Sequence, residues 1–186
     1  MKRVFDVAAA AVGLWVLLAP LAALWLLVRV TSPGPALYWS QRVGKDSRLF
    51  WMPKFRTMRI DTPEVATHLL NDPDHWLTPI GAPLRRLSLD ELPQLWSVLV
   101  GDMSLVGPRP ALFNQDDLIA ARSAAGVDKL RPGVTGWAQI NGRDELSIPD
   151  KVALDADYLA RRSLGFDLVI LVKTVAPVVT GRGVTR

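Results

Sequence analysis

Two adjacent carboxylates, Asp90 and Glu91, stand in the run Ser88-Leu89-Asp90-Glu91-Leu92-Pro93. A plain reading makes this a capping box, with Ser88 as N-cap and Glu91 reaching back from the third helical position. Pro93 opposes that reading: it would sit in the second turn and forfeit a backbone hydrogen bond, whereas proline is at ease in the first turn. The helix is therefore expected to start near Leu92, with both acids at its positive end, where free N–H groups and the macrodipole favour ionised carboxylates. An ionised aspartate there can attack a phosphorus centre.

Cations recur in settings suited to phosphate: Lys54-Phe55-Arg56, Arg85-Arg86, Gly107-Pro108-Arg109-Pro110 and Asn141-Gly142-Arg143. Arg109 is the most persuasive, because its flanking prolines stiffen the backbone and lower the cost of aiming a guanidinium at phosphate oxygens. Lys54, Arg56, Arg85, Arg86 and Arg143 are the other candidates, and each taken alone also reads as a solvated surface charge. An acidic pair among arginines suggests a polyphosphate and a divalent cation. Oxygen ligands favour magnesium (Mg2+), with Asp90 and Glu91 as its ligands, while arginines offset charge on a leaving phosphate. No Walker-type glycine loop or metal-binding histidine pair is present, and His68 and His75 are expected at the surface. The glycine-rich run Arg131 to Arg143 implies backbone held beside a ligand or a second backbone; a plain structural loop is the competing view.

The elements that must hold these residues are α+β and mainly helical. The runs Ala36 to Val43 and Leu49 to Phe55, joined by Gly44-Lys45-Asp46-Ser47-Arg48, read as a β-hairpin. Helices are expected over Pro79 to Leu87, from Leu92 to Gly101, over Ala111 to Ala124 and over Pro149 to Arg162, with a loop or short helix from Pro63 to Leu70. Leu164 to Val179 is apolar but carries Asp167, Lys173 and Pro177, which suits an amphipathic helix lying in a membrane interface better than a span.

From Val7 to Val28 no residue is ionisable, a length that can enter a membrane. The run exceeds a typical signal-peptide h-region, and no convincing small-residue cleavage site follows. Pro20, preceded by Ala19, is expected to bend or break this helix. Lys2 and Arg3 precede the segment, and Arg29, Arg42, Lys45, Arg48, Lys54 and Arg56 follow it. The positive-inside rule puts both flanks in the cytoplasm, which a re-entrant hairpin satisfies; a kinked spanning helix is the alternative. Thr31-Ser32-Pro33-Gly34-Pro35 then forms a hinge, dividing a membrane-inserted element, 1–30, from a cytoplasmic catalytic domain, 31–186. The net charge of +4 and pI near 9.8 fit nucleic acid, an anionic membrane or a phosphorylated substrate. The absence of cysteine excludes disulfides and thiolate chemistry.

Taken together, these motifs resemble the monotopic phosphoglycosyl transferases, bacterial sugar transferases that initiate surface glycan assembly. The resemblance runs through Lys2 to Asp6, the hinge, Gln41-Arg42-Val43-Gly44, Lys54 to Met58, Leu87 to Leu95, Gly101 to Pro110, Arg131 to Arg143, and Lys151, Asp155 and Tyr158. It implies the small catalytic-core type. The implied reaction has Asp90 attack the sugar-bearing phosphate of a UDP-sugar, expel UMP and hold the phosphosugar until polyprenyl (undecaprenyl) phosphate takes it. Glu91 would help bind magnesium, and Arg109, Arg143, Lys54 and one of Arg85 or Arg86 would position phosphates. The resemblance also implies the re-entrant anchor, membrane lipid as a partner, and the cytoplasmic face of the bacterial inner membrane. Many members have serine where this chain has Ala19, so the break rests on Pro20. A direct transfer with Asp90 as general base remains open, as do the sugar and the oligomeric state, a homo-oligomer included. A rival of another class is a non-catalytic, membrane-tethered basic protein that binds nucleic acid or acidic lipid. It leaves the acidic pair unexplained, and with no basic-aromatic groove visible, nucleic acid is not an expected partner.

Overall fold

The computed structural model describes residues 1–63, 72–142 and 145–180, the last five by their backbone alone. The stretch from Pro63 to Leu70 and the sites of His68 and Arg143 lie wholly or largely outside the described residues. The chain is mainly helical, and among the described residues its strands form two small two-stranded sheets.

Helix α1 (Lys2–Val16) and helix α2 (Leu18–Thr31) meet at a 63° bend. The break falls at Leu17, three residues ahead of Pro20, rather than at Ala19-Pro20. Stereochemistry accounts for the offset: proline clashes with the carbonyl four residues back, here that of Val16, so the helix is interrupted before the ring. Pro20 itself sits in the first turn of α2, where its missing N–H has no intrahelical partner to lose. No single described helix is long and apolar enough to cross a membrane, but this bent pair passes that test by length and composition.

Both arms of the bend are fastened to the same body. At the start of α1, Lys2 Nζ meets Asp167 Oδ2 at 2.5 Å, Arg3 donates to the carbonyls of Val98 and Leu99, and buried Asp6 accepts from Ser104 Oγ and the Leu105 amide. Toward the end of α2, Val28 packs with Ala36, Phe55 and Leu84. The apex between them is exposed and apolar, with Val12, Trp15, Val16 and Leu18 all more than half accessible.

Strands β1 (Leu37–Val43) and β2 (Leu49–Phe55) pair antiparallel, Leu37 opposite Phe55 and Val43 opposite Leu49, as the hairpin reading expects. The turn carries Asp46 and Ser47 at positive φ. Side chains alternate across a strand, so Phe50, Met52 and Lys54 share a face with Ser40 and Arg42. Phe50 and Met52 pack there against Ala10, Val98 and Met103. Helix α3 (Gly81–Arg86) leads into a 3-10 segment, Leu89–Gln94, and then helix α4 (Leu95–Val100), which Gly101 ends at φ 108°. Strand β3 (Ser104–Val106) pairs in parallel with β4 (Gly133–Thr135). Helix α5 (Asp116–Ala124) starts five residues later than its sequence suggests. The Ala111 carbonyl instead accepts from the Val43 amide, and Leu112 bridges to Arg42 at the hairpin's end. Helices α6 (Trp137–Ile140), α7 (Ile148–Arg161) and α8 (Leu164–Thr180) complete the fold. A third cluster joins β3, α7 and α8 through Val106, Leu130, Tyr158 and Ile170.

Candidate active site

The acidic pair lies on the 3-10 segment rather than at the mouth of an α-helix beginning near Leu92. Ser88 takes a left-handed conformation at φ 54° and makes no side-chain cap bond, so the capping box does not form. Its Oγ is buried with no hydrogen-bond partner among the described residues. The 3-10 path accounts for both results. Its bonds span three residues instead of four, as in Glu91 N–H to the Ser88 carbonyl at 3.2 Å, so the backbone turns tightly and Pro93 is accommodated before α4 begins.

That turn aims the carboxylates inward against β2. Asp90 is 7% and Glu91 8% exposed, which for charged groups demands partners. Lys54 Nζ donates to Glu91 Oε1 at 3.2 Å and Arg109 Nη2 to the same oxygen at 2.9 Å. Lys54 reaches the pair because strand alternation continues the buried face of Phe50 and Met52 to its position. Arg85, on α3, donates from Nε to Thr57 Oγ1 at 3.0 Å and lies within electrostatic reach of Asp90. Burial pushes the Asp90 carboxyl above its ordinary value and neighbouring Glu91 adds to the rise, while Lys54, Arg85 and Arg109 oppose it. Burial likewise lowers the Lys54 ammonium, opposed by Glu91 and reinforced by Arg109 and Arg42.

The other sequence candidates separate. Arg85 joins the cluster, whereas Arg86 is exposed. Arg56 is buried and engaged with the hinge: it donates from Nε to the Pro35 carbonyl at 2.6 Å and from Nη2 to the Ser32 carbonyl and hydroxyl. Its guanidinium thereby satisfies backbone at the end of α2 and holds the hinge. Arg143 lies outside the described residues. Arg42 and Thr57 join the site beyond the sequence candidates. Arg42 bears electrostatically on Lys54 and donates to the Pro110 carbonyl, next to Arg109. Hairpin register could have found it, since Arg42 and Lys54 fall on one face once Leu37 pairs with Phe55.

Two of the three glycines of 131–143, Gly133 and Gly136, serve a second backbone, while Gly142 lies against the Leu146 side chain. A Cβ at Gly133 would lie 2.1 Å from the Gly107 amide nitrogen, and one at Gly136 would lie 2.1 Å from the Gly107 carbonyl oxygen. Gly107 N–H bonds the Thr135 carbonyl and Gly133 N–H the Pro108 carbonyl, both at 2.9 Å. This contact fixes the loop that presents Arg109.

Among the described residues no group of three or more His, Cys, Asp or Glu side chains could cage a metal. Two adjacent buried carboxylates do fit magnesium in its usual phosphate-assisted form, with one or two protein carboxylates and the remaining positions taken by phosphate and water. Glu91's share in raising Asp90 is a mutual repulsion that a bound cation would relieve.

The exopolysaccharide production protein ExoY of Rhizobium meliloti is 42% identical over 201 residues, an alignment covering 98% of this chain and 87% of that protein. A UDP-glucose:undecaprenyl-phosphate glucose-1-phosphate transferase of Caulobacter vibrioides is 44% identical, covering 96% of this chain and 70% of its own. An undecaprenyl-phosphate galactose phosphotransferase of Salmonella typhimurium is 39% identical over 98% of this chain and 41% of its own. With these relatives aligning to this chain almost end to end, and with the family model for bacterial sugar transferases matching residues 1–181, the protein belongs to the bacterial sugar transferase family.

Proposed function

We propose that the protein transfers a sugar 1-phosphate from a UDP-sugar to undecaprenyl phosphate, releasing UMP, as a membrane step of exopolysaccharide or related glycan synthesis. The observation that carries the reading is a buried carboxylate, Asp90, beside a Glu91 tied to Lys54 and Arg109. The names of the relatives supply the substrate classes.

In the first step an Asp90 carboxylate oxygen bonds to the sugar-bearing phosphorus, and the bond from that phosphorus to the bridging oxygen breaks, its electrons leaving with UMP. In the second, a phosphate oxygen of the lipid attacks the same phosphorus and displaces Asp90. Lys54, Arg85 and Arg109 hold the diphosphate oxygens and offset the charge that grows on the departing phosphate. Glu91 keeps Lys54 and Arg109 on one side of the site through its shared Oε1. Asp90 and Glu91 would hold magnesium, which supplies further charge neutralisation at the diphosphate when bound.

The bent helix pair is a re-entrant anchor that brings the site to the cytoplasmic membrane face, where a lipid phosphate and a soluble nucleotide can meet. Support comes from Lys2, Arg3 and Asp6 at one end and Val28 at the other, all bonded to or packed on one body, with the apolar apex projecting between them.

The test incubates the purified chain with magnesium and a panel of UDP-sugars, with and without undecaprenyl phosphate, and measures UMP release and intact mass. UMP together with a phosphosugar adduct in the absence of lipid is the expected result, with Asp90→Asn giving neither. UMP only in the presence of lipid would replace the covalent course by direct transfer. No UMP with any sugar would overturn the reading.

A further inference from the structure

Four side chains hold the backbone of the segment that presents Arg109. At its start the Val106 carbonyl accepts from Lys2 Nζ at 3.1 Å and from Tyr158 Oη at 3.2 Å, and Tyr158 in turn donates to Asp167 Oδ1 at 2.7 Å. At its end Arg42 Nη1 donates to the Pro110 carbonyl at 3.2 Å. The carbonyl of Arg109 itself accepts from Arg122 Nη1 at 2.7 Å. The other donors of that same guanidinium, Nε and Nη2, meet Asp155 Oδ2 at 2.9 and 2.6 Å.

Arg122 is 7% exposed and Asp155 1%. A buried ion pair is poor evidence of a stabilising role, because desolvation cancels much of the attraction and an apolar pair of similar volume often does as well. Burial pushes the Asp155 carboxyl upward against the pull of Arg122, in line with that cost. What an apolar pair could not do is donate to the Arg109 carbonyl while being held in a fixed orientation. A guanidinium can, since its rigid fork offers donors on two edges at once.

We propose that Arg122 and Asp155 are positioning residues for the transfer: Asp155 orients Arg122, Arg122 holds the Arg109 backbone, and Arg109 is thereby kept on Glu91. The pair acts on the chemistry only through Arg109. This inference rests on the transferase reading above.

A double-substitution cycle on the full chain in detergent tests it, with kcat/KM for UMP release from the UDP-sugar that the wild-type protein accepts. Arg122→Lys keeps a cation for Asp155 but loses the fork. On the wild-type background it is expected to lower kcat/KM about 10- to 100-fold, the scale of an ångström-level misplacement. On an Arg109→Ala background it should cost no more than about twofold, the limit within which independent effects are usually resolved. An equal loss on both backgrounds would overturn the proposal, because a residue that merely supports the fold weakens the enzyme whether or not Arg109 is present. Asp155→Asn repeats the cycle from the other partner should Arg122→Lys fail to fold, and collapse of both variants would make the pair a fold determinant and overturn the proposal. Failure of the transferase reading looks different: either the wild-type chain releases no UMP, or Arg109→Ala alone leaves kcat/KM unchanged.

Discussion

At the residue scale the site sets opposite constraints on two groups. On the proposed covalent course Asp90 must be ionised to attack, and burial raises its pKa, so activity is expected to climb with pH through a value above the ordinary carboxylate range. On the same course Lys54 must keep its proton to hold Glu91 and a phosphate, and burial lowers its pKa, so activity is expected to fall with pH through a value below the ordinary lysine range. The expected kcat/KM profile is a bell narrower than unperturbed groups would give. Measured from pH 4 to 10, a plateau reaching down to an ordinary aspartate value would remove Asp90 as the group behind the acid limb. As candidates, the dyad, Lys54 and Arg109 were legible in the sequence from residue type, and Arg109 also from the stiffness of its flanking prolines. The fate of Arg56 was not. It follows Lys54 by two residues, yet β2 ends at Phe55 and the Arg56 guanidinium turns to the carbonyls of a hinge more than twenty residues earlier. A motif records that cations are near one another along the chain; which of them is consumed by backbone depends on where the chain returns.

At the element scale the decisive contact is that of Gly107 with Gly133 and Gly136. Gly133→Ala would drive a methyl group into backbone with no side chain to yield, since the nearest atom is an amide nitrogen 2.1 Å away. The expected loss is at least ~2 kcal/mol, at the upper side of what overpacking costs, read as a lowered melting temperature in detergent. Gly165→Ala, facing open space at the start of α8, is the control and should be neutral or stabilising by up to ~1 kcal/mol. A Gly133→Ala protein as stable as this control would discard the close-approach account. The hairpin, α7 and the extent of α8 followed from two β-prone runs around a glycine-containing polar turn, from Pro149 at a helix start, and from a long apolar run. The 3-10 geometry of Leu89–Gln94 and the late start of α5 did not. Both are tertiary outcomes, one packed beneath the buried face of β2 and the other displaced because Ala111 and Leu112 are taken up by β1.

At the scale of the whole molecule, a re-entrant anchor predicts that both flanks of the apolar segment face the same compartment. The chain has no cysteine, so single substitutions report cleanly. Val4→Cys and Ser47→Cys should both react with a membrane-impermeant thiol reagent from the cytoplasmic side, while Leu18→Cys at the apex should be protected. Labelling of Val4→Cys from the opposite side alone would make the segment a span. The sequence by itself determined that an apolar, proline-interrupted segment precedes a small α+β unit, and that an acidic pair is accompanied by several cations in stiff or motif-like settings. Both properties are carried by residue type and short spacing, which need no partner to be read. Only the tertiary structure decided which cations meet Glu91, that the break lies at Leu17, and that Lys2 and Asp167, 165 positions apart, join the first helix to the last. Those choices depend on long-range packing, where a guanidinium or ammonium goes to whichever buried oxygen the fold leaves in need of a proton donor.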